Sequence, residues 1–226
     1  EDRRLDREIL SETFTIGLPA LGTTFVSCFG YIAFARMVSG MGTTIFAAHS
    51  IAITAEQIVY IPGYGLRVAT STLVGNALGE KDIRKLKATE RVSILITLLI
   101  MVVNGIGLYL FAYPFMRLFT NSVNAARIGS EMLRLVSFSE PFFGLMIVLE
   151  GISYGMGRTK HVFACEAVSM WGIRIFGTFL CVNVFGLGLK AVWLCMIADN
   201  ICKAILLYIF HPKHVEENAD DRGELR

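Results

Sequence analysis

Six runs of about twenty or more mostly apolar residues, separated by short polar stretches, decide what this chain can fold into. They extend over Thr13 to Met37, Ile45 to Leu66, Val92 to Met116, Met132 to Met156, Val162 to Phe185 and Leu189 to Phe210. A helix needs about 20 such residues to cross a hydrocarbon core. Within lipid, backbone N–H and C=O groups must be satisfied inside their own segment, so six separate runs read as six helices. The expected fold class is an all-α membrane protein with six transmembrane helices. Composition agrees, with 54% of residues hydrophobic and 18% charged where soluble domains carry about 25% charged. A mean hydropathy of +0.57 excludes a disordered chain and leaves too much apolar surface for one water-soluble domain to cover.

Orientation follows from where the cations collect in the short connections. Arg3, Arg4 and Arg7 precede the first run; Lys81, Arg84, Lys85, Lys87 and Arg91 lie in an expected loop over 80–91; Arg158 and Lys160 follow the fourth run; and Lys213, Arg222 and Arg226 lie beyond the sixth. These thirteen oppose four on the other side, Arg36, Arg117, Arg127 and Lys190. Both ends of the chain are therefore expected in the cytoplasm. The domain boundaries expected are a charged linker over 1–12, continuing from something upstream, a six-helix membrane unit over 13–210, and a solvated tail over 211–226. The basic loop could touch acidic lipid headgroups, but topology alone explains it. Nothing resembles a basic groove with base-stacking aromatics, so no nucleic-acid partner is expected.

Several motif matches carry no chemistry in this setting. Gly151-Ile152-Ser153-Tyr154-Gly155 fits the G-x-S-x-G pattern, but a nucleophile elbow needs a strand before the turn. An intramembrane serine protease would need a histidine base in the sixth run, and the first there is His211, at its very end. Gly63-Tyr64-Gly65 lacks the Thr-Val of a potassium filter, and Ile61-Pro62 before it reads as a kinked or broken helix. Gly75 with Gly79 and Gly151 with Gly155 have the spacing of close helix contacts. Cys28, Cys165, Cys181, Cys195 and Cys202 all lie in apolar runs without a Cys-x-x-Cys pair, which reads as packing and argues against a disulfide framework or a zinc site. No enzyme activity, cofactor or resident metal is expected.

Ionisable residues within the runs are more informative, because each is costly in the membrane unless paired or hydrated. They are Glu56, Arg67, Glu140, Glu150, Glu166, Arg174, Asp199 and Lys203. Asp199 and Lys203 stand four apart with the acid first, which predicts a salt bridge along one helix face; Glu166 with Arg174 also reads as a structural pair. Glu140, Arg174 and Asp199 fall near mid-membrane, and Glu150 and Glu166 nearer the cytoplasmic mouth. Glu56 precedes the break expected at Pro62, where freed carbonyls could help hold a cation. Glu140 directly precedes Pro141, which predicts a bend that turns the carboxylate into an opened, hydrated region.

Short motifs distributed over nearly the whole chain give a family resemblance. Gly17-Leu18-Pro19, Ala47-Ala48-His49, Val74-Gly75-Asn76-Ala77-Leu78-Gly79, Leu118-Phe119-Thr120, Gly155-Met156-Gly157-Arg158-Thr159, Gly186-Leu187-Gly188 and Ala191-Val192-Trp193, in that order and spacing, resemble the C-terminal half of the multidrug and toxic compound extrusion (MATE) family. The resemblance implies one six-helix lobe of a twelve-helix transporter. It implies a sodium- or proton-coupled antiporter exporting drugs or organic cations by alternating access, with an N-terminal lobe or a second copy of this lobe as partner and membrane lipid around it. A flippase for lipid-linked oligosaccharides and a non-transporting membrane subunit are the alternatives. The acidic positions of the best-known bacterial branch fall near Ser27 and Phe143, neither of them acidic. Candidate cation-coupling or cavity residues are therefore Glu140, Glu56, Glu150, Arg174, Glu166 and Asp199, taken from burial alone.

Overall fold

The computed structural model describes residues 7–211, and among them the chain is helical with no strand. The helices are α1 (Arg7–Ser39), α2 (Thr43–Gly79), α3 (Ile83–Phe119), α4 (Val123–Ser137), α5 (Glu140–Gly155), α6 (Thr159–Val184) and α7 (Leu189–Ile209). Within α6 two stretches, Met170–Ile175 and Leu180–Val184, widen into π-helix, which the sequence did not announce. Five of the helices are long and apolar enough to cross a membrane, and α4 with α5 make a sixth span bent by 61°. The expected all-α fold of six spans is present. The expected tail, from residue 212 on, and the first six residues of the expected linker lie outside the described residues; α1 is already helical at Arg7.

The apolar runs understate two helices. α2 and α3 have 37 residues each, which at about 1.5 Å per residue is roughly 55 Å, well beyond the ~30 Å of hydrocarbon. The expected basic loop over 80–91 is therefore corrected to a turn at 80–82. The Asp82 carboxylate caps α3 by accepting from the Lys85 N–H at 2.9 Å, and Arg84, Lys85, Lys87 and Arg91 ride on the first turns of α3. Strong helix formers in that stretch let the helix continue past the bilayer.

Two prolines behave differently from each other. α2 runs through Pro62 without a break, so of the kinked or broken helix expected there, the break is not formed. Proline removes one helical donor, and the Asn104 amide of α3 reaches in close by, donating to the Val59 carbonyl at 3.1 Å. The expected bend near Pro141 is present, but proline is not its hinge. At the hinge the Ser139 N–H and hydroxyl both donate to the Val136 carbonyl, at 2.7 and 2.8 Å, and the Ser137 hydroxyl donates to the Arg134 carbonyl at 2.7 Å. Serine hydroxyls thus terminate α4 by taking its last carbonyls. Pro141 then sits in the first turn of α5, where a missing N–H costs nothing.

α5 is the most enclosed helix, packed on α2, α3 and α7. Small residues allow that approach. A Cβ at Gly155 would lie 2.5 Å from the Ser71 carbonyl oxygen, and one at Gly151 would lie 2.7 Å from that of Arg67. The Gly151/Gly155 pair is thus a backbone-to-backbone seam with α2. Gly75 faces Gly155 across it, while Gly79 borders open space.

The apolar core forms two clusters, one around Ala52, Met116, Leu133, Val136, Trp193 and Met196, the other around Met101, Phe143, Ile147, Ile152, Val162 and Ala204. Two of the motifs meet in the first cluster, where the Trp193 indole N–H donates to His49 Nδ1 at 3.2 Å.

Candidate functional site

Four of the buried charges fall, in chain order, between residues of the two apolar clusters. Glu56 follows Ala55 and precedes Tyr60; Glu140 lies between Val136 and Phe143; Asp199 and Lys203 lie between Met196 and Ala204. All the ionisable residues expected inside the spans are buried except Arg67, whose side chain is 33% exposed.

Six of these residues form three ion pairs. Arg174, on the first π-helical stretch of α6, meets Asp199 of α7 with Nε 2.7 Å from Oδ2, and its terminal nitrogen donates to the Asn200 side-chain oxygen at 3.2 Å. The same guanidinium lies 5.5 Å from the Tyr31 ring centre and 5.8 Å from that of Phe34. The Ser169 hydroxyl donates to the second Asp199 oxygen. Lys203 pairs with Glu166, which also accepts from the Ser27 hydroxyl of α1. Arg67 pairs with Glu150 at 3.1 Å and stands 5.3 Å from the Tyr64 ring centre.

This wiring corrects two expectations. Asp199 does not bridge to Lys203 along α7, and Glu166 does not pair with Arg174. Antiparallel packing decides the exchange: advancing along α7 from Asp199 to Lys203 means receding along α6 from Arg174 to Glu166. Each acid of this quartet therefore meets its base across the helix interface.

Two acids remain without a base. Glu56 is 2% exposed and accepts a 2.6 Å hydrogen bond from the Tyr60 hydroxyl one turn on. Tyr60 in turn stacks on Phe143 of α5 with ring centres 3.7 Å apart. Glu140 is wholly buried, and neither of its carboxylate oxygens has a hydrogen-bond partner. Its Cβ and Cγ lie against Gly105 of α3, where an added Cβ would come within 3.1 Å. Glu56, Glu140 and Tyr60 influence one another electrostatically, and the Arg174 charge acts favourably on Glu56 from beyond ion-pair distance. Among the described residues no cation stands within ion-pair distance of either acid. Burying an isolated ionised carboxylate costs many kcal/mol, and a proton or a bound cation removes that cost.

The two positions where an acid was absent are occupied in an instructive way. Ser27 bonds Glu166, and Phe143 stacks on Tyr60, the partner of Glu56. Tyr60, Ser169 and Asn200 were not singled out by sequence. Tyr60 alone had a readable signal, its spacing of four from Glu56; the others reach their partners only through tertiary packing. Ser153 is an interior helix residue donating to the Leu149 carbonyl at 2.8 Å, so its pattern match has no catalytic geometry. No group of three or more metal-ligating side chains exists among the described residues.

The MatE family profile matches residues 19–180. The chain belongs to the MatE family. Its similarity to curated proteins includes 30% identity over 201 residues with the "Probable multidrug resistance protein NorM" of Thermotoga maritima, covering 88% of this chain and 43% of that one. The protein of the same name from Photorhabdus laumondii is 28% identical, covering 88% and 45%. Among solved structures, a MATE protein in a bent conformation superposes with a TM-score of 0.89 at 19% identity over 98% of this chain and 49% of that one. The bent form of the Vibrio cholerae MATE transporter VcmN gives 0.85 at 16% identity, over 96% and 49%. The MatE chain thus spans about half the length of the curated relatives it matches, and its fold is that of half of a MATE transporter.

Proposed function

We propose that this MatE chain is the C-terminal lobe of a secondary antiporter that exports drugs or organic cations in exchange for sodium ions or protons. Glu56 and Glu140 are the residues where the coupling ion or proton binds. The observation that carries this is the wholly buried Glu140 carboxyl with no partner, beside a second acid that has only a tyrosine hydroxyl. In alternating access, such a site is occupied when it opens to one side and emptied when it opens to the other. The bend of α4 against α5, with Glu140 in the first turn after it, supplies a joint at which a rocking motion would alter the hydration of the acid.

The partner is a second six-helix lobe, either the N-terminal half of the same transporter or another copy of this one. α1 supports this: only 11% of its most apolar window is buried, and Phe25, Phe29 and Ile32 stand exposed, ready for lipid on one side and a facing lobe on the other. Substrate would rest between the lobes on such aromatic and aliphatic surfaces. The termini face the cytoplasm of a cell in whose plasma membrane the protein resides. A cysteine replacing Lys85, in a background lacking other cysteines, should react with an impermeant reagent only from the cytoplasmic side; labelling from outside intact cells would overturn this orientation.

The complete transporter, reconstituted in vesicles, tests the function. Accumulation of a fluorescent organic cation should require an imposed sodium or proton gradient. Uptake that is indifferent to both gradients would refute cation coupling.

A further inference from the structure

Where α6 turns back into α7, the hairpin brings two thiols together. Cys181 lies on the second π-helical stretch of α6 and Cys195 on α7, fourteen residues later, with their sulfurs 3.7 Å apart. Both side chains are half-buried. The turn between them is held by the Leu187 N–H donating to the Cys181 carbonyl at 2.7 Å and by Gly186 at a φ of 60°, a backbone conformation that favours glycine. Gly177, one turn before Cys181, leaves the space that Cys195 fills; a Cβ there would stand 3.3 Å from the Cys195 sulfur. The pair lies at the end of the bundle opposite the basic turns, near the outer surface in the orientation proposed above.

We infer that Cys181 and Cys195 are a modification site at which a small neutral peroxide installs a reversible disulfide between α6 and α7. A disulfide needs sulfurs about 2.05 Å apart, so the observed 3.7 Å closes by less than 2 Å, within the range of a χ1 rotation and a small helix shift. In the first step one thiolate sulfur attacks a peroxide oxygen and the O–O bond breaks. This leaves a sulfenic acid on that cysteine and a hydroxide that takes up the thiol proton as water. The second sulfur then attacks the sulfenic sulfur; the S–S bond forms, the S–O bond breaks, and the departing hydroxide takes the second thiol proton. Two thiols and one hydrogen peroxide give one disulfide and two waters. The bond would tie the outer end of α6 to α7, above the Arg174–Asp199 contact that joins the same two helices deeper in the bundle.

The test uses the full chain in native membranes, treated with hydrogen peroxide, then alkylated, digested and examined by mass spectrometry. Peptides carrying Cys181 and Cys195 should appear linked within one chain in most molecules, be released by a thiol reductant, and be absent from a Cys195→Ser variant. The exposed Cys28 should remain alkylatable in the absence of peroxide and mark the efficiency of labelling. Hydrogen exchange of amides 180–188 should slow at least several-fold on oxidation and recover on reduction. Cys181 and Cys195 still separately alkylated after peroxide has oxidised Cys28, or linked only between different chains, would overturn the inference. The wild-type result decides even where the serine variant fails to fold.

Discussion

The interface of α6 with α7 and the packed junction of α2, α3 and α5 solve the same electrostatic problem in opposite ways. At the first, Arg174 and Lys203 each face an acid, and Ser27, Ser169 and Asn200 take further polar contacts. At the second, Glu56 has a tyrosine hydroxyl and Glu140 has nothing. Buried pairs of the first kind hold helices in register, because removing one partner strands the other. Buried acids of the second kind weaken a fold unless something from outside neutralises them, which is the property a transport site requires.

The contrast is sharpest where a pair is broken. Arg174→Met should cost about 3–5 kcal/mol, the usual penalty for leaving a buried charge such as Asp199 alone, read as a lower unfolding midpoint in detergent or nanodiscs. If the double variant Arg174→Met with Asp199→Asn recovers much of that loss, the penalty belongs to the stranded acid; no recovery would make the contact with Tyr31 and Phe34 the important one. Next comes the seam that holds α5 against α2. Gly155→Leu must displace Ser71 or Val74 and should cost about 1–3 kcal/mol by overpacking, measured in the same way. An unchanged midpoint would mean that the two helices are free to separate. The smallest effect is expected outside the membrane. Lys85→Ala removes the exposed pair with Glu80 and should change stability by under about 0.5 kcal/mol; a larger loss would mean that the turn between α2 and α3 contributes more than the buried pairs imply.

The membrane fold was legible because length and hydropathy determine it. Six apolar runs became six spans, and the last was bounded to within a residue at its end. The helix ends of α2 and α3 were not legible, since helix propensity continues where hydropathy stops. Pro62 and Pro141 look alike in sequence, yet only the segment with serines at 137 and 139 is broken, because those hydroxyls offer carbonyls an alternative to the helical ladder. The list of buried charges was correct apart from the partly exposed Arg67, but its pairing was misread. Spacing along one helix favoured Asp199 with Lys203, and the antiparallel neighbour offered each a better partner. Which acid lacks a partner is a property of all the surrounding helices together, so Glu140 and Glu166 could be separated only once the packing was known.

Glu140→Gln in the complete transporter tests the distinction between paired and unpaired acids most directly, with unfolding midpoint and gradient-driven uptake measured on the same preparation. Glutamine keeps the shape and removes the charge, and Glu140 has no cation to strand. The expected result is an unfolding midpoint at or above that of the unaltered protein, normal membrane insertion, and no uptake of an organic cation under either a sodium or a proton gradient. Uptake at the unaltered rate, or loss of transport that merely follows a loss of stability like that of Arg174→Met, would contradict it.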